Sequence, residues 1–359
     1  MKTINVPLQS RSYPIWLDNG LLNLLPDLLE SMNRGQKWVI FSQDKIYLKY
    51  GVDLEKALKK NNFNVSFILI PDGEKAKSLS VIEQLLSRLL DLKCDRLSIF
   101  LALGGGVVGD ITGFLSAIFM RGVDYIQIPT TLLAMVDSSI GGKTGVNLLQ
   151  GKNLVGAFWQ PKVVVIDPLL LNTLPKREFT SAMGEIIKYG VTLDKSVFIK
   201  IIENLDTLLN KTNDSLILDI IINCAKIKSQ IIVEDEKEKG RRRILNFGHT
   251  DGHALETFLG FEKIRHGEAV SYGMLFACKL SMEFSNLSQK DFDLINSTIL
   301  RLPLPILPKL NKEEISSILL NDKKNKLGKF NFILLNTIGK TMISNEIDLD
   351  AINNIMEKI

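Results

Sequence analysis

LSIFLALGGGVVGDITGF, residues 97–114, joins a continuous apolar run to a helical pattern through Gly104, Gly105 and Gly106. A strand buried on both faces reads as such a run, because helices cover each side of a parallel sheet. Glycines just after the strand let backbone N–H groups come close to a pyrophosphate. The N-terminus of the helix that follows favours the negative charge. A tight turn that holds no ligand has the same composition. Asp110 falls in the first turn of the predicted helix, where it can cap the helix or bond a ligand hydroxyl.

Working outward, the same texture recurs on both sides. KTINVPL and SYPIWLD read as an opening strand pair, and LLNLLPDLLESM has helical spacing. KWVIFS, VSFILI, YIQIP and KVVVID are further short runs rich in Val, Ile and Phe, set apart by helix-length segments. This alternation predicts an α/β domain over residues 1–174, Rossmann-like, with helices on both faces of a mostly parallel sheet. From 175 the periods lengthen: REFTSAMGEIIKYG, SVFIKIIENLDTLL, SLILDIIINCAKIKSQIIVEDE, HGEAVSYGMLFACKLSMEF and DLDAINNIMEKI are amphipathic at helical spacing. Strand-like runs there are confined to KFNFILLN and KTMISNEI, and LPLPILPKL (302–310) is a proline-spaced connector. A mostly α-helical second domain over 175–359 is expected.

Composition narrows the class. A chain of 359 residues, 45% hydrophobic and 23% charged, has room for about two globular domains. The net charge of +4 is spread along the chain, which is weak evidence for a nucleic-acid partner and suits an anionic small substrate equally well; a small-molecule partner and no nucleic acid are expected. Cys94, Cys224 and Cys278 stand alone in apolar surroundings, so neither a disulfide framework nor a thiolate zinc site is indicated. MKTINVPLQSRSYPIWLD lacks the apolar core of a signal peptide, and ITGFLSAIFM is too short to span a bilayer. A cytoplasmic protein with no membrane partner is expected.

All three histidines, His249, His253 and His266, lie within RRILNFGHTDGHALETFLGFEKIRHGEAVS (242–271). His249 and His253 are one helical turn apart on one face, and His266 opens a new helical segment. Histidine is the commonest metal ligand and the usual acid or base near neutral pH. The competing reading is one helix cap and two core histidines. GEIIKYG (184–190) adds Glu185 and Lys188 at i and i+3. Glu185 is a candidate oxygen ligand, since two histidines and a glutamate with an open position form a known catalytic zinc arrangement. Taken alone, the pair reads as an intrahelical salt bridge.

Anion-binding candidates lie elsewhere. PDGEKAKS (71–78) offers Asp72, Glu74 and Lys77 at a strand end, where open α/β sheets bind ligands, or else makes a charged surface turn. IPTTLLAMVDSSIGGKTGVN (128–147) supplies Thr130, Thr131, Asp137 and Lys143 in apolar, glycine-rich surroundings, which points to partly buried, paired groups. QGKNLVGAFWQP (150–161) adds Lys152 and Asn153, and the two Gly-Lys pairs resemble an anion clamp. EDEKEKGRRR (234–243) reads mostly as a solvated turn, though its arginines suit a carboxylate or phosphate.

Taken together, GGGVVGDITGF, MRGV, IPTTLLAMVDSSIGGKTGVN, GKNLVGAFWQP, GEIIKYG, LNFGHTDGHALE and HGEAVSYGM resemble the 3-dehydroquinate synthase family of sugar-phosphate cyclases, in order and over nearly the whole chain. The resemblance implies NAD and a divalent metal, zinc or cobalt, and conversion of 3-deoxy-D-arabino-heptulosonate 7-phosphate to 3-dehydroquinate and phosphate. It makes Glu185, His249 and His266 the metal ligands and leaves His253 to handle a proton or contact phosphate. It assigns NAD contacts to Asp72, Glu74, Lys77, Gly105, Gly106, Asp110, Thr130, Thr131, Lys143, Lys152 and Thr173. Substrate contacts fall on Asp137, Lys143, Asn153, Lys188, Lys228, Arg242, Asn246 and a lysine of Asp322-Lys323-Lys324, with Lys324 favoured. Arg121 matches an arginine that reaches the partner subunit's site, so a homodimer is expected. Asp251 departs from the family pattern, which has an apolar or aromatic residue there, and a negative charge at that position would raise the pKa of His253. Rival readings are another cyclase acting on sedoheptulose 7-phosphate or glucose 6-phosphate, a metal-dependent polyol dehydrogenase, and a non-enzymatic regulator that binds NAD or metal.

Overall fold

The structure is a computed structural model that describes residues 1–32, 35–260, 263–308 and 330–356. Packing divides the chain into two compact units. The first is Met1–Leu174 with Ile217–Lys237, and the second is Pro175–Leu216 with Glu238–Ile359. Residues 217–237, which follow the first helices of the second unit in sequence, thus pack with the first.

The first unit is built on a seven-stranded sheet. Its strands are β1 (Lys2–Val6), β2 (Tyr13–Leu17), β3 (Lys37–Ser42), β4 (Asn64–Leu69), β5 (Ile99–Gly104), β6 (Asp124–Pro129) and β9 (Val163–Ile166), in the order β1-β2-β9-β6-β5-β3-β4. β1 pairs antiparallel with β2, as the opening strand pair predicts, and every other pairing is parallel. β5 and β9 are buried along their whole length, which is why they read as unbroken apolar runs. Val39 and Phe41 of β3, Phe100 and Ala102 of β5, and Val108, Ile111 and Leu115 of the helix after β5 share one core. Each fully buried Val, Leu, Ile or Phe side chain among them contributes about 1.5–3 kcal/mol.

The strand order sets where a ligand can bind. From β3 the chain steps outward to β4 and then returns to the opposite side of β3 for β5. At such a reversal the loops leave in opposite directions and open a crevice outside the carboxyl ends. Those ends are Ser42 and Gly104, and the Ser42 hydroxyl donates to the Leu103 carbonyl at 2.7 Å.

A separate antiparallel hairpin joins β7 (Lys143–Leu148) and β8 (Gly151–Phe158). It carries residues of two motifs, yet its glycines and sparse apolar residues hide it from a reading based on periodicity.

The second unit is mostly helical. Its elements, with the helices α1–α5 numbered within this unit, are α1 (Lys176–Leu193), α2 (Lys195–Leu209), α3 (His249–Leu259), α4 (His266–Phe284), α5 (Gln289–Leu300), the hairpin β10 (Phe330–Thr337) and β11 (Lys340–Ile347), and a C-terminal helix, Leu349–Met356. α1 is buried from Phe179 to Thr192. Asp194 ends it and caps α2, its carboxylate accepting from the Ser196 and Val197 amides. Ala254, Leu255, Phe276, Leu280, Phe332, Leu334 and Ile352 form the core that backs α3 and α4. Residues 303–308 of the proline-spaced connector have no regular structure.

Candidate active site

In the second unit, three helices bring one carboxylate and three imidazoles together. Glu185 lies mid-way along α1 and is 0% exposed. His249 opens α3 and His266 opens α4. α1 and α4 approach closely because each presents a glycine at the crossing: a Cβ on Gly184 would strike the Gly267 carbonyl oxygen, and one on Gly267 the Ser181 carbonyl. Those glycines flank Glu185 and His266, so the contact that joins the helices also joins the side chains.

Nε2 of His249 is 3.5 Å from Glu185 Oε1, and Nε2 of His266 is 3.4 Å from the same oxygen. Both are too long for strong hydrogen bonds. Ligands held at ~2.0–2.1 Å by one tetrahedral ion stand ~3.3 Å apart, so each nitrogen stands from the carboxylate oxygen at nearly the separation of a shared coordination sphere, and the three ligand atoms all lie within 4.8 Å of one another. Glu185 Oε2 is taken up by Lys188, one turn further along α1 and 1% exposed. Burial, with Lys188 and the neighbouring imidazoles, holds His249 well below its ordinary pKa, so its ring is neutral as a metal ligand must be. At His266 burial works in the same direction, but Glu185 and Glu256 outweigh it and push the pKa up to about 9. The two carboxylates favour positive charge at this ring, and a cation supplies that charge equally well. The donor set therefore fits a divalent metal.

A second three-residue set, His253, Glu256 and His266, also has ligand atoms within 4.8 Å of one another. His253 is exposed, and its ring centroid is 5.3 Å from that of His249 and 5.8 Å from that of His266. Glu256 is 3% exposed, and its Oε2 is 3.5 Å from His266 Nδ1. Glu256, the last residue of LNFGHTDGHALE, is not among the site residues expected from the sequence. Its signal was available: it stands two turns beyond His249 and one beyond His253, on the same face of α3.

Asp251 differs from expectation. It is buried, its Oδ2 has no hydrogen-bond partner among the described residues, and burial pushes its pKa up to about 8. Burial thus favours the uncharged acid over the negative charge predicted to act on His253. Arg242 is buried and Asn246 half-buried in the turn before α3, and Asn246 Nδ2 donates to Glu238 at 2.7 Å. Lys323 and Lys324 lie outside the described residues.

In the first unit the glycine-rich turn stands at the carboxyl end of β5. The following helix runs from Gly106 to Ile118, with no acidic residue in its first turn and no side-chain cap on its N-terminal N–H groups. A Cβ on Gly105 would come within 3.0 Å of the Thr131 methyl, and one on Gly109 within 2.8 Å of Gln127 Oε1. Gly104, Gly106 and Gly109 stand at G-x-G-x-x-G spacing, in which the third glycine brings helix and sheet together. Thr130 is buried, and its N–H donates to the Gly104 carbonyl at 3.0 Å, tying the two loops together. A close-packed turn with open N–H groups at the strand reversal fits a dinucleotide.

Asp110 lies one residue past the first turn, so it does not cap the helix. It binds Lys77 Nζ at 2.6 Å. Burial raises the Asp110 pKa, and Lys77 opposes that shift. Lys77 is 4% exposed, also reaches Asn153 Oδ1 at 2.5 Å, and lies 3.7 Å from Glu74. Lys228 and Asp137, 91 residues apart in sequence, meet at 2.5 Å, with a second bond from Lys228 to the Asp137 carbonyl at 2.6 Å. Lys143 and Lys152 are at opposite ends of the β7–β8 hairpin, roughly 13 Å apart along the ladder, rather than side by side as a clamp. Thr173 is exposed and bonds the Tyr50 hydroxyl at 2.6 Å. Asp72 is exposed in the loop three residues beyond β4. The strand order adds Gln43 and Asp44, just past β3, to the residues bordering the crevice. Arg121 is exposed in a turn where it has φ +67° and Met120 +49°.

Among known proteins, a relative from Thermoanaerobacter pseudethanolicus described as 3-dehydroquinate synthase is 45% identical over 345 residues, covering 96% of this chain and 97% of that one. One of the same description from Thermodesulfovibrio yellowstonii is 43% identical over the full length of both. A solved structure of 2-deoxy-scyllo-inosose synthase, in complex with carbaglucose-6-phosphate, NAD+ and Co2+, superposes with a TM-score of 0.89 over 99% of each chain at 26% identity. Residues 67–181 match the family model for the N-terminal part of 3-dehydroquinate synthase and residues 182–325 the model for its C-terminal part. With both halves matched in order, the chain belongs to the 3-dehydroquinate synthase family.

Proposed function

We propose that this chain converts 3-deoxy-D-arabino-heptulosonate 7-phosphate to 3-dehydroquinate and phosphate, with Glu185, His249 and His266 holding a divalent metal. The observation that carries the reading is the spacing of both imidazole Nε2 atoms from one buried carboxylate oxygen. Zinc is the proposed metal, since a glutamate and two histidines with an open position suit it, and cobalt is the alternative. When bound, the metal supplies a Lewis acid for the oxygen on the oxidised carbon, and NAD a reversible hydride acceptor.

The chain's own residues position charge and protons. Lys188 secures Glu185 so that Oε1 stays turned to the imidazoles. His253 carries a proton to or from the substrate or its phosphate, a role its exposure supports. Arg242, with its planar fork, suits the substrate carboxylate, and Asn246, Lys228, Asp137, Lys143, Asn153 and one lysine of 323–324 take its hydroxyls and phosphate. Glu74, Lys77, Asp110, the Gly105–Gly106 turn, Thr130, Thr131, Lys152, Asp72 and Thr173 serve the nucleotide. With NAD held in the first unit, transient oxidation at C5 would acidify C6 so that phosphate can leave by β-elimination; after re-reduction at C5, opening of the ring hemiketal would free the ketone on which an intramolecular aldol step closes the carbocycle. The electrons balance within each turnover, which makes the enzyme a carbon–oxygen lyase rather than a net oxidoreductase. The chain acts as a homodimer in which Arg121 reaches the partner's phosphate site, a role that suits its exposed, left-handed turn.

The test is incubation with the heptulosonate phosphate, metal and a trace of NAD, following phosphate and dehydroquinate together. Equal release of both over many turnovers per NAD is expected, with no accumulation of NADH. Stoichiometric NADH would assign a polyol dehydrogenase. Turnover of glucose 6-phosphate or sedoheptulose 7-phosphate instead would assign a different cyclase.

A further inference from the structure

Asn147, near the end of β7, lies among residues assigned to NAD and substrate but belongs to neither set. Its side-chain amide makes two bonds of 2.9 Å: Nδ2 donates to Glu74 Oε1, and Oδ1 accepts from the backbone N–H of Asn153. These partners fix the orientation of the amide, because a carboxylate only accepts and a backbone N–H only donates. Its own N–H donates to the Lys77 carbonyl at 2.8 Å. Lys77 in turn binds Asn153 Oδ1 at 2.5 Å and lies 3.7 Å from Glu74. Asn147, Glu74, Lys77 and Asn153 therefore form a closed ring of polar contacts within the first unit. Asn153 has φ +53°, a left-handed conformation that costs energy and that the bond to Asn147 helps to hold.

We propose that Asn147 is a positioning residue that sets the nucleotide-binding carboxylate of Glu74 with one end of its amide and the substrate-binding residue Asn153 with the other. The inference rests on the proposed roles of Glu74 and Asn153. It makes the two binding functions separable by changing one atom. Asn147→Asp keeps an acceptor for the Asn153 N–H but replaces the donor to Glu74 with a like charge. Asn147→Ala removes both bonds.

The experiment measures NAD binding directly, by calorimetry without turnover, and the KM for the heptulosonate phosphate at saturating NAD. Asn147→Asp is expected to weaken NAD about tenfold, the loss typical of a hydrogen bond to a charged group, and to leave the sugar-phosphate KM within about twofold. Asn147→Ala is expected to weaken NAD similarly and also to raise that KM about fivefold or more. NAD affinities unchanged in both variants, or a lowered thermal midpoint with unchanged affinities, overturn the inference while leaving the functional reading intact. So does an Asn147→Asp variant that loses sugar-phosphate affinity as fully as Asn147→Ala. Failure of the unaltered chain to bind NAD overturns the functional reading, and this inference with it.

Discussion

Lys188 binds Oε2 of Glu185 within a single helix and thereby commits Oε1 to the two imidazoles across from it. The ion pair is fully buried, where removing one partner strands the other and typically costs about 3–5 kcal/mol. The salt bridge and the proposed metal ligation are thus two uses of one carboxylate.

His249 and His253 share a helical face but differ in surroundings, since His249 faces Glu185 and His253 is exposed. His249→Ala is expected to lose both metal and activity. His253→Ala should keep close to one metal per chain and lose roughly a hundredfold in turnover, as loss of a proton-transfer group does. Elemental analysis after dialysis, beside assays in metal-replete buffer, separates the two. Metal lost from His253→Ala and kept by His266→Ala would reverse the ligand assignment.

Glu256 Oε2 stands 3.5 Å from His266 Nδ1, on the side of the ring opposite the Nε2 that faces Glu185. Carboxylates behind a ligand histidine usually contribute 10–100-fold to metal affinity. Glu256→Gln is accordingly expected to speed metal loss to a chelator by about tenfold or more, with a smaller effect on turnover when metal is saturating. Identical release rates in the variant and the unaltered chain would falsify this role.

Asp251 contributes to the pH dependence of stability. Its pKa rises from 3.8 to about 8 on folding, so its contribution is complete below pH 3.8 and is lost as pH rises through about 8. The loss is at most about 1.4 kcal/mol per pH unit. Asp251→Asn removes this titration, so its thermal midpoint relative to the unaltered chain should be higher at pH 8.5 than at pH 6. A difference between the two proteins that stays constant from pH 6 to 8.5 would show that the carboxyl does not titrate there.

If Arg121 serves the partner's site, two inactive variants should rescue each other. Arg121→Ala mixed with His253→Ala after subunit exchange gives half heterodimers, each with one intact site, so about a quarter of the unaltered activity should return. No recovery, with exchange verified by mass spectrometry, would place Arg121 in its own subunit's site or outside any site.

Much of this architecture is legible along the chain. Buried parallel strands cannot alternate polar and apolar residues, so LSIFLAL and KVVVID are recognisable without coordinates. The longer helical periods after 175 and the confinement of histidine to 249–266 are likewise properties of the sequence, as are the motifs of the family. What covalent spacing fixes is local: it sets His249 and His253 one turn apart and Lys188 beside Glu185. It does not fix which imidazole meets a carboxylate from another helix. The packing of α1 on α4 through Gly184 and Gly267 decides that. Tertiary structure alone also returns residues 217–237 to the first unit, where Lys228 meets Asp137, and buries Asp251 so that its uncharged form is favoured. The physical reason is the same in each case: burial and contact between distant segments depend on how close two backbones come, and no local pattern of residues encodes that distance.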